Sequence, residues 1–367
     1  MPKLEARRFE PLNLKAGDWV EVRTQEEILS TLDERGCTEN LPFMPEMLKC
    51  CGLRFRVGKR ADKTCDNIEP WSIRRMKNAV HLEGSRCDGE EHGGCQAGCL
   101  IFWKEAWLRR VQNDVVSPER LQPASRSSAG DKGITVDNIL AASSRQDPQG
   151  ETIYSCQATE LLKYTSYMPS WDPRQYVRDL RSGNLSTGLG EDGPAHQTLE
   201  VMLGIIQILR AVTISAFNRL QQWRHWRPVY PYIEGKAVKT PIELLNLQPG
   251  ELVQVRSKEE IFATLDKQFR NRGLLFDGEL LTYCGGIYRV LRRVNQIIDE
   301  KTGKMMHMKY PCIILEGVAC RSDNHRLCPK AIYHYWRENW LERVSDVPEG
   351  SVSSKLIAET CDECGQV

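Results

Sequence analysis

At 367 residues, 41% hydrophobic and 27% charged, the chain has the composition of a soluble globular protein and is long enough for two or three domains. Its 50 basic and 49 acidic residues leave a formal net charge of +1, which gives no overall electrostatic footprint for DNA or RNA and argues against a nucleic-acid binder. The opening segment, Met1 to Leu12, has no apolar stretch and no small-residue cleavage site, so a cytoplasmic setting with reduced thiols is expected, and fourteen cysteines call for metal ligation, redox chemistry or plain burial.

Residues 1–16 read as an N-terminal arm. From Gly17 a segment begins that recurs 233 residues later: residues 17–111 align without a gap to 250–344, and 32 of the 95 positions are identical. Duplication followed by divergence is the source of such a match. Within the first repeat, Trp19–Arg23 alternates and predicts a strand. Glu26–Leu32 places Ile28, Leu29 and Leu32 at helical spacing, with Thr24 as its cap. Leu53–Val57, Ala79–Glu83 and Phe102–Val111 predict further strands. Arg54, Arg56, Lys59, Arg60 and Lys63, like Arg289, Arg292 and Arg293, read as solvated strand edges.

Residues 112–150, rich in Ser, Gln, Asp and Pro, predict a flexible linker. Residues 151–249 form a middle region with short ordered pieces near 153–162 and 171–180, the second starting a helix at Asp172-Pro173. A largely apolar helix over 197–226 follows. Glu200, Gln207, Arg210, Asn218 and Arg219 interrupt its apolar run, so a buried or amphipathic helix is expected rather than a membrane span, its apolar surface covered by a barrel, a second chain or, as the lesser alternative, a membrane surface. In the second repeat, Arg289–Asp299 and Met305–Glu316 bracket Asp299-Glu-Lys-Thr-Gly303, which has hairpin-turn chemistry. A tail over 345–367 carries Cys361 and Cys364 in CxxC spacing. The fold class expected is α+β, mainly β: two homologous small SH3-like β-barrel-type domains joined by the linker and a partly helical middle region.

Both repeats keep a Cys, a His five residues on and a Cys three further: Cys87, His92 and Cys95, and Cys320, His325 and Cys328. Cys51 and Cys284 are shared as well. Three thiolates and one imidazole are a common closed zinc set. The first repeat adds Cys65 and Cys99, so Cys65, Cys87, Cys95 and Cys99 form an alternative all-thiolate set for zinc, iron or an iron–sulfur cluster. The second has Ile298 and Ile332 there and adds Cys312 near its Leu-Glu-Gly strand. Cys37, Cys50 and Cys156 read as small buried hydrophobes. The surplus of thiols and glycines favours the first repeat as the place for any chemistry.

No P-loop, nucleophile elbow, dinucleotide fingerprint or His-Glu-x-x-His motif occurs. The shared acids Glu83/Glu316 and Glu105/Glu338 read as halves of ion pairs, with Arg110 and Arg343 near the latter. The shared Trp103/Trp107 and Trp336/Trp340 read as core, with stacking on a sugar as the alternative. The strings Leu41-Pro-Phe-Met-Pro-Glu-Met47, Val80-His-Leu-Glu-Gly84, His92-Gly-Gly-Cys-Gln-Ala-Gly-Cys99 and Phe102-Trp-Lys-Glu-Ala-Trp-Leu108 resemble a group of uncharacterised bacterial proteins met beside glycosyltransferase or other biosynthetic genes. The resemblance implies a bacterial origin and a biosynthetic setting. Two functions are carried forward: a zinc-stabilised interaction or scaffold module for a partner protein or glycan, and a metalloenzyme or iron–sulfur redox protein.

Overall fold

The computed structural model describes residues 10–66, 68, 72–111, 134–169, 172–185, 194–224, 233–323 and 325–344. The fold is mixed α+β, with slightly more strand than helix, arranged in several small sheets. In the first repeat, strands β1 (Trp19–Val22), β2 (Arg54–Arg60), β3 (Ala79–Leu82), β4 (Trp103–Lys104) and β5 (Leu108–Arg110) form one five-stranded sheet in the order β4-β3-β2-β1-β5. A 3-10 turn, Glu105–Trp107, separates β4 from β5 and lets β5 return antiparallel beside β1, with Val20 opposite Arg110. The second repeat uses the same order with β6 (Leu252–Val255), β7 (Ile287–Ile298), β8 (Met305–Leu315) and β9 (Leu341–Arg343). Its counterpart of β4 is reduced to a single bridge, Ile313 to Trp336, before the 3-10 turn Glu338–Trp340. Helices α1 (Gln25–Leu29) and α6 (Lys258–Ala263) each start on a capping box, Thr24–Glu27 and Ser257–Glu260.

Each repeat has its own core. Trp103, Trp107, Trp336 and Trp340 are completely buried, and each pair is edge-to-face at 6.5 Å. The Trp107 indole donates to the Thr31 and Thr38 hydroxyls, and that of Trp340 to Thr264. These tryptophans are core in this fold and present no stacking face. Glu105 and Glu338 are ion-paired, but not with Arg110 or Arg343. The Arg60 guanidinium meets Glu105 at 2.6 Å and that of Arg293 meets Glu338 at 2.5 Å. Each carboxylate also accepts two backbone amides, from Asn13 and Leu14 in one repeat and from Leu245 and Leu247 in the other. Arg60 and Arg293 are therefore partly buried structural groups rather than members of a solvated edge. Glu83 and Glu316 make surface pairs with Arg56 and Arg289, at 3.6 and 3.7 Å. The amides that cap Glu105 and Glu338 come from Leu12-Asn-Leu14 and Leu245-Asn-Leu247, so the repeated unit starts about five residues before Gly17 and Gly250 and takes in part of the expected arm.

The last part of the expected linker is ordered. Helix α2 (Val136–Ala142) packs Ile139 on the first core, and Ser144–Gln146 pairs with Thr152–Tyr154. Residues 112–133 lie outside the described residues. Gln157 stitches the middle region to the first repeat: its amide oxygen accepts from the Phe102 N–H at 2.8 Å and its amide nitrogen donates to the Phe102 carbonyl at 2.9 Å. Short helices α3 (Leu161–Tyr164) and α4 (Arg174–Arg181) follow. Helix α5 (Pro194–Trp223) is buried along one narrow stripe only. Over Thr198–Gln221 it is long and apolar enough to cross a membrane, and only 11% of that window is buried. Gly204, Ala211 and Asn218, seven residues apart, are its buried positions, while Met202, Ile206 and Leu209 are more than half exposed.

The two repeats grip each other reciprocally. The Cys65 N–H donates to Cys328 Sγ at 3.0 Å, and the Ile298 N–H donates to Cys95 Sγ at 3.4 Å. Lys63 Nζ donates to the Arg326 carbonyl at 2.6 Å, and Gln296 Nε2 donates to the Gly93 carbonyl at 3.0 Å. Cys65 and Ile298, Cys95 and Cys328, Lys63 and Gln296, and Gly93 and Arg326 are all equivalent positions at the offset of 233. Each Cys/His loop thus sits on the strand or hairpin of the other repeat, the isologous arrangement of a twofold dimer made within one chain.

Candidate metal and thiol centres

The second repeat brings together Glu279, Cys320 and His325, whose ligand atoms all lie within 4.8 Å of one another, a group that could hold a metal ion. Glu279 stands on the 3-10 helix Gly278–Tyr283, whose first N–H groups are capped by the Asp277 side chain. Cys320 follows the β8 turn, and its thiol lies 3.2 Å from Glu279 Oε2, which also accepts from the Arg321 and Ser322 amides at 3.0 Å. His325 Nε2 faces Asp277 Oδ2 at 3.5 Å. Burial disfavours the charged imidazole, but the Asp277 hydrogen bond and charge outweigh it and hold the His325 pKa above its ordinary value. Burial, reinforced by the Glu279 charge, pushes the Cys320 thiol up. A thiol held protonated in this way by a carboxylate is the form that a cation would displace.

The equivalent trio of the first repeat, Glu46, Cys87 and His92, is wired differently. His92 Nδ1 lies 2.5 Å from Glu46 Oε1 and Nε2 lies 3.2 Å from the Ser155 carbonyl, so both ring nitrogens are committed to oxygen acceptors. Burial works against ionisation of Glu46, but the bond to His92 prevails and holds its carboxyl below the usual range. His92 and Glu46 here form a buried clasp over the middle region. Among the described residues, the group compact enough to hold a single ion therefore lies in the second repeat.

The remaining expected ligands scatter. Cys51 lies beside Cys50 and Glu26, and the Cys284 thiol points at the Leu280 carbonyl at 3.8 Å, so neither joins the shared set; Glu46 and Glu279 stand in their place. Cys312 belongs to a small separate cluster with Val294 and Ile314, where Arg337 Nη1 meets it at 3.4 Å. Cys65 and Cys328 pair with each other across the repeats. The Cys65 thiol is pushed up by its bond to Cys328 and by burial. Burial opposes ionisation of Cys328, but the bond from Cys65, the Lys330 and Cys65 amides and the Lys330 charge bring it down to about 6.

Cys87, His92, Cys95 and Cys99 do converge. They line a cavity of about 390 Å³ at the seam between the repeats, and Cys156 of the middle region joins them. Tyr333, Tyr335, Ile297 and Ile298 of the second repeat close the far side. Burial raises Cys99 to about 12 and Cys156 to about 11. The loop that carries Cys95 needs its glycines: Gly89 has φ +75°, and a Cβ there would meet the Cys95 carbonyl oxygen at 2.1 Å. Lys330, 3% exposed, also lines the cavity, and its Nζ has no hydrogen-bond acceptor among the described residues; the nearest charge is Glu300 at 3.8 Å. Glu46, Glu279, Cys156 and Lys330 were not assigned to a site from sequence. Only the two glutamates carried a usable signal, identity at equivalent positions. Cys361 and Cys364 lie outside the described residues. No family model, curated protein or solved structure matches the chain.

Proposed function

We propose that the chain is a metal-binding tandem-domain protein acting as an interaction or scaffold module in a cytoplasmic, bacterial biosynthetic setting, with zinc held by Glu279, Cys320 and His325. The convergence of these three donors carries the reading. Carboxylate, thiolate and imidazole all suit zinc, and Asp277 stands where an outer-shell carboxylate orients a ligating histidine. Three protein donors leave a fourth position for water or a group from a partner. The same opening supports the second reading, a metalloenzyme, since a bound water there would be acidified. The strand order of each repeat, with a 3-10 turn before the closing strand, supports an SH3-like barrel. Metal analysis of the purified chain tests the assignment. About one zinc per chain is expected, and Cys320→Ala and His325→Ala are each expected to cut zinc content at least ten-fold. Full zinc retention in both variants removes the reading.

The docking face of the module is the outward side of α5, and its partner is an anionic bilayer surface. Met202, Ile205, Ile206, Leu209 and Val212 are exposed along it, Trp223 ends it, and its exposed charges, Arg210 and Arg219, are basic. Basic residues beside an apolar stripe suit a surface of lipid phosphates over acyl chains. The repeats flanking α5 are docked on each other, so a single pass through the bilayer would pull them apart, and the helix lies in the membrane plane. Co-sedimentation with phosphatidylglycerol vesicles, absent with phosphatidylcholine vesicles and lost in Leu209→Glu, is the expected result. Equal recovery in the supernatant with both vesicle types rejects it.

A further inference from the structure

We infer that the cavity at the seam of the two repeats is the seat of an iron–sulfur cluster held by Cys87, Cys95, Cys99 and Cys156. This site is separate from the Glu279–Cys320–His325 group and does not depend on it.

Four cysteines from two distant stretches of chain line one cavity of about 390 Å³. Among the described residues, only Glu279, Cys320 and His325 bring three ligand atoms within 4.8 Å. A tetrahedral zinc with bonds of about 2.3 Å needs its sulfurs roughly 3.8 Å apart. The cavity thiols are too widely spaced for that, while thiolates bound to the separate irons of a cluster stand further apart. Cys95 Sγ already accepts an N–H bond from Ile298 at 3.4 Å, the kind of contact that tunes cluster thiolates. Lys330 supplies a positive charge that an anionic cluster needs. It is a buried ammonium in the cavity wall, 3.8 Å from the carboxylate of Glu300, and its Nζ has no hydrogen-bond acceptor among the described residues. Phe102, Tyr335 and Ile298 give the space an apolar lining beside the sulfurs. In the second repeat Ile332 stands in place of Cys99, so this set of thiols is not repeated there. Cys65, placed in this set by sequence, is taken up by Cys328 instead.

The test is iron, acid-labile sulfide and zinc content of the full chain purified anaerobically, before and after incubation with ferrous iron and sulfide. Equimolar iron and sulfide with a broad absorption band near about 400 nm is expected. Cys99→Ser and Cys156→Ser are expected to lower iron at least ten-fold while zinc at the second repeat stays unchanged. Cys284→Ser is expected to leave both unchanged. Lys330→Met is expected to retain iron but shift the reduction potential downward, because a positive charge that favours the reduced cluster is gone. A colourless wild-type chain with less than one-tenth iron after reconstitution overturns the inference. So does iron that persists in the Cys156→Ser and Cys99→Ser double variant, or zinc bound in place of iron and lost with these two cysteines. Loss of zinc in Cys320→Ala with the absorption band intact would separate this site from that of the second repeat.

Discussion

The two repeats differ most where their sequences look most alike. Each presents a glutamate, a cysteine and a histidine at the same three positions, yet His92 is closed off between Glu46 and the Ser155 carbonyl, while His325 stands beside Asp277 and keeps company with Glu279 and Cys320. What changed is the neighbour. The middle region has been laid over the first repeat, bringing Ser155 to the histidine and Cys156 to the cavity, so one copy of an inherited trio became a structural clasp. Ligand-like residues at equal spacing can thus have unequal chemistry, decided by what the rest of the chain places against them.

The strongest way to test this equivalence is at the feature both repeats keep unaltered. Glu105→Ala and Glu338→Ala each strand a partly buried arginine and two backbone amides, so each is expected to cost about 3–5 kcal/mol, read as a lower urea midpoint. A loss confined to one repeat would mean that the shared anchor is not shared in energy. At the seam, the reciprocal contacts should be unequal. Lys63 is buried in an ion pair with Asp179 at 2.5 Å as well as bonding the Arg326 carbonyl, whereas Gln296 only bonds carbonyls near the surface. Lys63→Ala should therefore cost about 3–5 kcal/mol and Gln296→Ala about 1 kcal/mol, measured in the same denaturation assay. The smallest effect concerns the helix caps. Thr24→Ala and Ser257→Ala should each cost about 1 kcal/mol. Burial tends to raise the Glu27 pKa, but the Thr24 amide and Arg109 hold it below 4.5; the bond to Ser257 does the same for Glu260. Groups with depressed pKa values stabilise above their unfolded pKa and lose that contribution as pH falls through the folded one. The cost of Ser257→Ala should thus be full near pH 6 and shrink below about pH 4, whereas that of Thr24→Ala, which keeps the amide and Arg109, should vary less with pH; a pH series of thermal melts would read both.

Much of the fold was legible because it is local. The alternation at Trp19–Val22, the capped helix after Thr24 and the Asp299–Gly303 hairpin each depend on a few adjacent residues, and all three stand where period and turn chemistry put them. The duplication itself was plain from Gly17 onward, but not the residues just before it, of which Asn13 and Leu14 donate amides to Glu105, 92 and 91 positions away. The site was less legible for the same reason. Cys51 and Cys284 are shared but stand outside the Glu–Cys–His group, and the Cys284 thiol points at the Leu280 carbonyl of its own segment. Cys156 reads as an ordinary buried thiol, because only the docking of the middle region on Phe102 turns it toward Cys99. The exposure of α5 could not be foreseen from its composition, which fits a buried helix equally well.

The reciprocal seam also has a consequence for how the chain behaves in company. A self-complementary face that is closed inside one molecule is not available for pairing between molecules, and it is the tether that keeps the partner repeat at a high local concentration. Cut between Val111 and Gly250, the chain becomes two fragments whose matching faces would have to find each other by diffusion; crowded while still folding, two intact chains could exchange halves and close the same contacts as a swapped pair.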